Sequence, residues 1–144
     1  MLPPTYLFNA LGAMVLLHLF LPQYTAIPKP WNIIGIAPLL AGIFLNLAAD
    51  RSIRKHGTTV KPFEVSSALI TTGVFRFCRH PMYLGMVFIL TGVALLLGSL
   101  SPFIIIPVFA ILMDRIFISA EESMLQSRFG DEWARYKTTV RRWL

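Results

Sequence analysis

Between Pro81 and Met113 the chain runs for 33 residues without one Asp, Glu, Lys or Arg. A helix on the surface of a soluble protein needs a polar face, and this stretch has none to offer. One membrane span takes about 20 apolar residues. The run is too long for one untilted span and holds two only if the turn between them is tight. Gly98-Ser99-Leu100-Ser101-Pro102 supplies such a turn. The run therefore predicts spans at about 82–97 and 103–119. Pro107 is expected to kink the second, and Asp114-Arg115 stand near its end.

The N-terminal part reads the same way. Met1 to Pro28 carries no formal charge, and Tyr6 to Leu21 is nearly continuous hydrophobe. A cleaved signal peptide wants a basic start and a small-residue cleavage site. Neither is present, so a retained first span is expected at 5–21. Pro22 to Pro30 breaks the pattern, and a second span is expected at 31–49. It stops at Asp50-Arg51, followed by Arg54, Lys55 and His56. The predicted fold is all-α: a polytopic membrane helical bundle of about four transmembrane helices, one domain over 1–144. A charged tail, 120–144, follows. Its Leu125, Phe129, Trp133 and Tyr136 make one apolar stripe beside Arg128, Arg135, Lys137, Arg141 and Arg142, as in an amphipathic interfacial helix.

Only 14% of the residues are charged, against about 25% in soluble domains. The net charge of +6 would suggest nucleic acid in a soluble protein. Here twelve of the thirteen Lys and Arg lie in 51–79 or from Arg115 onward. Four spans bring those two regions to one side, which the positive-inside rule makes cytosolic, together with both termini. Anionic headgroups of the lipid bilayer, not nucleic acid, are the expected partner. The lone Cys78 excludes an internal disulfide. His18, His56 and His80 are scattered and lack Cys at ligand spacing, so no metal site is expected. A transporter would place an ionisable group in mid-span, and the first three spans have none. A chain of 144 residues leaves no room for a separate catalytic domain, so any site must be built from helix ends and loops.

Two places carry chemistry. Gly73-Val74-Phe75-Arg76-Phe77-Cys78-Arg79-His80-Pro81-Met82-Tyr83-Leu84-Gly85 leads into the third span. Pro81 suits the first position of a helix, and Arg79 suits a snorkelling anchor. The histidine before the proline needs another explanation. A helix N-terminus binds anions through its free N–H groups, so a ligand carboxylate near Arg79 fits. The second place is Glu121-Glu122, just past the fourth span. Carboxylates at the start of a cytosolic helix are favoured by its dipole. Next to a bilayer they are costly unless paired, so an adjacent pair points to a polar cavity. Gly35, Gly42, Gly92 and Gly98 are expected to permit close helix packing. Asn9, His18 and Asn46 are expected to bond to neighbouring helices, Asn46 alternatively lining a cavity.

Together these segments resemble the isoprenylcysteine carboxyl methyltransferase family and its phospholipid methyltransferase relatives. The resemblance rests on Gly73-Val74-Phe75, Arg79 to Gly85, Glu121-Glu122, Phe129-Gly130-Asp131-Glu132-Trp133-Ala134-Arg135-Tyr136 and Val140, in that order. It implies an enzyme using S-adenosyl-L-methionine, held in a pocket closed by the cytosolic tail. It implies that Leu69, Ile70, Phe75, His80, Pro81, Met82 and Tyr83 line the pocket, with Glu121 contacting the cofactor and Glu122 beside it. His80 and Glu122 are the candidate catalytic groups. The acceptor would be lipophilic or small: a prenylcysteine carboxylate, a phospholipid amine or a thiol. Phe75 stands where the eukaryotic prenylcysteine enzymes have tyrosine, and Phe117 where they have an arginine for the substrate carboxylate. Arg115 is the nearest arginine, so Arg115 and Phe117 are the expected acceptor contacts. The glycine-rich cofactor motif of the phospholipid branch falls near Gly42, where one glycine is in place.

Overall fold

The computed structural model describes residues 2–21, 24–57 and 67–144. The helices are α1 (Pro3–Phe20), α2 (Ile36–Lys55), α3 (Pro81–Leu97), α4 (Ile105–Leu112) and α5 (Ser119–Thr139). Three helical stretches are long and apolar enough to cross a membrane: Pro3–Phe20, Trp31–Lys55 and Ser101–Thr139. The apolar α3, 17 residues long, is the fourth. At 1.5 Å per residue it spans about 26 Å, close to a hydrocarbon core of about 30 Å. The all-helical membrane bundle expected from the sequence is what forms.

Local chemistry sets the helix ends. Pro3 and Pro81 occupy first turns, where a missing N–H costs nothing. α3 stops at Gly98, whose φ of 72° is open to glycine and strained for other residues. The expected turn follows, and a 3₁₀ segment, Ser101–Ile104, starts the next helix. At this end Ala26 and Ile27 donate to the Gly98 carbonyl, and Asn32 donates to the Leu96 carbonyl at 2.8 Å. His18 meets the Ser99 hydroxyl at 2.7 Å, so this in-span histidine does bond across helices. Asn46 bonds within its own helix, to the Gly42 carbonyl.

α2 and α3 lie backbone against backbone. A Cβ at Gly35 would stand 2.5 Å from the Gly92 carbonyl oxygen, and one at Gly92 would stand 2.6 Å from that of Gly35. Gly42 and Gly85 form a second pair of the same kind. Each pair is seven residues from the next, two turns along one face of each helix. Gly42 thus serves packing, and no space beside it is left for a ligand. The core lies between α1, α3 and α4, where Met14, Leu90, Ala94, Phe109, Met113 and Phe117 are buried together.

The second half departs from expectation in two ways. Pro107 sits just after the 3₁₀ turn and inside the first turn of α4, where its lost N–H is cheap. The irregular stretch lies further on: Met113–Ile118 is a π-helix, in which the Ser119 N–H reaches the Asp114 carbonyl five residues back. Nor does the helix restart at Glu121. It continues from the span into α5, so the dipole of a new helix does not account for Glu121 and Glu122. Gly130 is non-helical at φ 48°, and the chain turns back there. Before Arg79 the chain makes a 3₁₀ turn, Gly73–Arg76.

Candidate active site

The reversal at Gly130 lays the second half of α5 against residues 75–80. The Tyr136 hydroxyl donates to the Phe75 carbonyl at 2.6 Å. The Arg79 N–H donates to the Arg141 carbonyl, and the Cys78 thiol to that of Arg142. Trp133 is buried beneath the Arg79 guanidinium, whose carbon lies 5.6 Å from the ring centroid. A cation over an indole face is favourable there. Arg79 is therefore no snorkelling anchor: its side chain is 8% exposed. The break at Gly130 divides the expected apolar stripe, and its second part, Trp133 and Tyr136, covers this segment.

Where α3 begins, the two carboxylates meet the histidine. His80 caps α3, and its ring is buried. Nδ1 lies 3.4 Å from Glu121 Oε2, and Nε2 lies 3.3 Å from Glu122 Oε1. The Tyr83 hydroxyl, one turn into α3, donates to Glu121 Oε1. Residues separated by about 40 positions thus form one polar cluster.

The two glutamates differ. Glu121 has a side chain 25% exposed, while that of Glu122 is buried among cations. Arg79 Nη1 is 2.7 Å from Glu122 Oε1 but off the hydrogen-bonding axis, so that attraction is Coulombic. Arg79 Nε and Nη1 find no hydrogen-bond acceptor among the described residues. Arg142 reaches Glu122 from the other side through Nη2 and Nε, and Asp114 through Nη1. Burial alone would raise the Glu122 pKa; hydrogen bonds from His80 and Arg142 and the charge of Arg79 hold it at about 2. Burial of His80 opposes its charged form, but hydrogen bonds to Glu121 and Glu122 outweigh this and raise its pKa.

The other expected site residues divide. Ile70 and Pro81 are buried, while Leu69, Phe75 and Met82 are half-buried on the segment and helix that carry His80. Phe117 is buried between Tyr6 and Tyr83, with ring centroids 5.5 and 6.3 Å away. Arg115 faces elsewhere. With Ala110, Ile111, Asp114, Arg142 and Trp143 it lines an open groove of about 440 Å³ on the outer side of the π segment. Arg115 and Phe117 are close in sequence yet do not share one wall. Asp114 and Arg142 were not singled out as site residues by sequence reasoning. Their signal was faint: an Asp beside the end of a span, and one arginine among several in a basic tail.

Helices crossing a membrane, with a buried cluster of carboxylates, histidine and arginines at one end, define an integral membrane protein with an enzyme-like polar site. The phospholipid methyltransferase family matches residues 31–132, and the chain belongs to it. It is 33% identical over 75 residues to the protein-S-isoprenylcysteine O-methyltransferase of Schizosaccharomyces pombe, covering 50% of this chain and 30% of that one. An uncharacterized protein of Haemophilus influenzae is 41% identical over 63 residues, 44% of this chain and all of that one. Among solved structures, the eukaryotic intramembrane Ras methyltransferase, isoprenylcysteine carboxyl methyltransferase, superposes with a TM-score of 0.67 and 26% identity. That match covers 95% of this chain but 50% of the solved one, so the chain spans about half the length of this relative.

Proposed function

We propose that this chain is an S-adenosylmethionine-dependent methyltransferase, working at the cytosolic face of a membrane on a lipophilic acceptor. The observation that carries the reading is the convergence of His80, Tyr83 and Glu121 at the mouth of the bundle, under a tail that folds over them. The basic residues gathered at this end support the cytosolic assignment.

The residues present fit the cofactor. Glu121 keeps an exposed edge able to accept from hydroxyl or ammonium groups. Among the described residues Arg79 Nε makes no hydrogen bond, and Nη1 has only its ion pair with Glu122, close to the N-terminus of α3, where a carboxylate would be welcomed. When bound, the cofactor supplies a methyl group already activated on a sulfonium. The protein's share is then to position and to exclude water. His80 fixes Glu121 through Nδ1, and Tyr83 fixes it from the helix. Trp133 and Tyr136 close the cluster from the tail side.

The groups present also bear on the acceptor. An amine must be neutral to accept a methyl group, which calls for a base; a carboxylate or thiolate needs none. Both ring nitrogens of His80 face carboxylates, and Glu122 is ringed by cations, so neither is poised to take a proton. We therefore place a lipophilic carboxylate first, in keeping with the isoprenylcysteine relatives, and a thiolate second. A phospholipid, the acceptor in the family's name, methylated at an amine, is the alternative. Phe117, behind Tyr83, shapes the inner wall, and Arg115 meets an acceptor only from the outer groove.

The test is transfer of a labelled methyl group by purified protein in lipid vesicles, against prenylated thioether acids, thiols and phosphatidylethanolamine. Transfer to the acids is expected. In calorimetric titration with S-adenosylmethionine, Glu121→Ala and His80→Ala should each weaken binding by about tenfold or more, the scale of one charge-assisted hydrogen bond. Unchanged affinity in both variants would remove these residues from the site.

A further inference from the structure

We propose that Arg142 is a positioning residue of this site: it fastens the segment 140–144 to the π-helix and thereby sets the orientation of Glu122 and His80. The inference rests on the reading of the cluster as the cofactor site.

The geometry is that of a clamp with two jaws. The Arg142 guanidinium puts Nη2 2.5 Å from Glu122 Oε2 and Nε 3.3 Å from Glu122 Oε1. Its remaining terminal nitrogen, Nη1, lies 3.1 and 3.3 Å from the two oxygens of Asp114. One planar fork thus joins two carboxylates from different turns of the long helix. A lysine cannot reproduce this, because its ammonium is a point charge without a fixed fork. The main chain adds to the clamp. The carbonyls of Arg141 and Arg142 accept from Arg79 and Cys78, so the segment is bonded to the residues that lead into His80. Arg142 also forms part of the wall of the outer groove, together with Trp143, whose ring packs on the core. The side chain therefore separates the groove from the buried cluster.

The consequence for Glu122 is specific. Oε1 faces Arg79, His80 and Arg142 together, whereas Oε2 is bound by Arg142. Without the fork, Oε2 loses its partner and the carboxylate is free to rotate about its terminal bond. His80 then loses a fixed acceptor at Nε2, and Glu121, which His80 holds through Nδ1, loosens in turn. Asp114 touches Arg142 only from the far side, so its loss should be felt less. The charged groups facing Glu122 are Arg79 and His80 from the α3 side and Arg142 from the folded-back segment. Asp114, Glu121 and Tyr83 stand one contact further out.

The test compares full-length Arg142→Lys, Arg142→Met, Asp114→Asn and Arg141→Gln with the unaltered chain in vesicles. Two readouts are taken. Calorimetry gives the affinity for S-adenosylmethionine. Infrared or carbon-13 spectroscopy of labelled glutamate gives the pH at which Glu122 takes up its proton. Both Arg142 variants should bind the cofactor at least about tenfold more weakly. Both should also move the Glu122 protonation step to higher pH, since the paired hydrogen bonds of the fork have gone, and Arg142→Met should move it further because it also removes the charge. Asp114→Asn should weaken cofactor binding to a smaller extent and should not raise the Glu122 protonation step, since it removes an anion and not a cation. Arg141→Gln removes the same charge from an exposed neighbour and should change neither readout. Arg142→Lys keeps the charge, so it separates loss of the fork from loss of folding. If Arg142→Lys matches the unaltered chain in both readouts, or Arg141→Gln matches Arg142→Met, the inference is overturned. If the unaltered chain does not bind the cofactor, the proposed function fails, and the Glu122 titration alone decides the role of Arg142.

Discussion

At the scale of single residues, the site is a set of charges that would be costly alone and are stable only together. A buried carboxylate needs partners, and Glu122 has Arg79, His80 and Arg142. This makes folding depend on pH in a defined way. Glu122 titrates at about 2 in the folded chain, against an ordinary value of 4.5. Its contribution to stability is complete above pH 4.5 and is lost as pH falls through about 2. His80 has the opposite sign. Its pKa is raised above the ordinary 6.5, so its contribution is complete below that value and is lost as pH rises through the folded one. Thermal unfolding followed across pH should therefore weaken at both extremes. Glu122→Gln should flatten the acid limb, and His80→Gln the alkaline limb. A curve whose acid limb is the same with and without Glu122 would show that the carboxylate is not clamped as described.

At the scale of elements, α2 and α3 depend on four glycines. At Gly42 or Gly35 a side chain has nowhere to go, because the obstacle is backbone on the facing helix. Gly42→Ala should lower stability by about 2 kcal/mol or more, as overpacking does, seen as a fall in unfolding temperature in detergent. Gly12 is the control, for a Cβ there meets nothing within 4 Å. Gly12→Ala should be neutral or gain up to about 1 kcal/mol from helix propensity. The sequence pointed to packing at Gly35, Gly42 and Gly92 without showing against what, and did not point to it at Gly85. The charge-free runs showed where the spans lie, because hydrocarbon tolerates so few alternatives. The meeting of His80 with Glu121 followed from the resemblance, whereas the turn at Gly130 interrupts a tail that reads as one amphipathic helix. What could not be read was the role of Arg142. It stands among arginines whose side chains lie on the surface, and only the fold back over residues 75–80 gives it a carboxylate on each side. The depth of Trp133 was hidden for the same reason: an interfacial helix and a helix lying on protein share one apolar stripe.

At the scale of the whole molecule, the two ends are chemically unlike. One carries Lys29, together with Thr25 bridged to Ser99 through the main chain and Asn32 bonded to the Leu96 carbonyl. The other carries the basic residues and the polar cluster. Under the proposed function, an acceptor dissolved in the bilayer and a charged, water-soluble donor would meet where the two phases adjoin, at the end of the bundle that carries the cluster. Single cysteines placed at Lys29 and at Arg128, in a Cys78→Ser background, test the orientation. A membrane-impermeant thiol reagent added outside intact cells should label position 29 and spare position 128. The reverse pattern would place the site on the outer face.

The π-helix at Met113–Ile118 works as a phase shift in the helical screw. Each residue of an α-helix turns the chain by about 100°, so one residue accommodated in a wide turn swings everything after it by roughly that angle relative to a regular helix. Glu121 and Glu122 face His80 because of this offset. Deleting one residue from the wide turn should leave a regular, still apolar helix that inserts normally, while aiming both carboxylates away from the histidine. A single codon lost in this stretch would thus yield a chain that still reaches the membrane while its two carboxylates no longer meet the histidine.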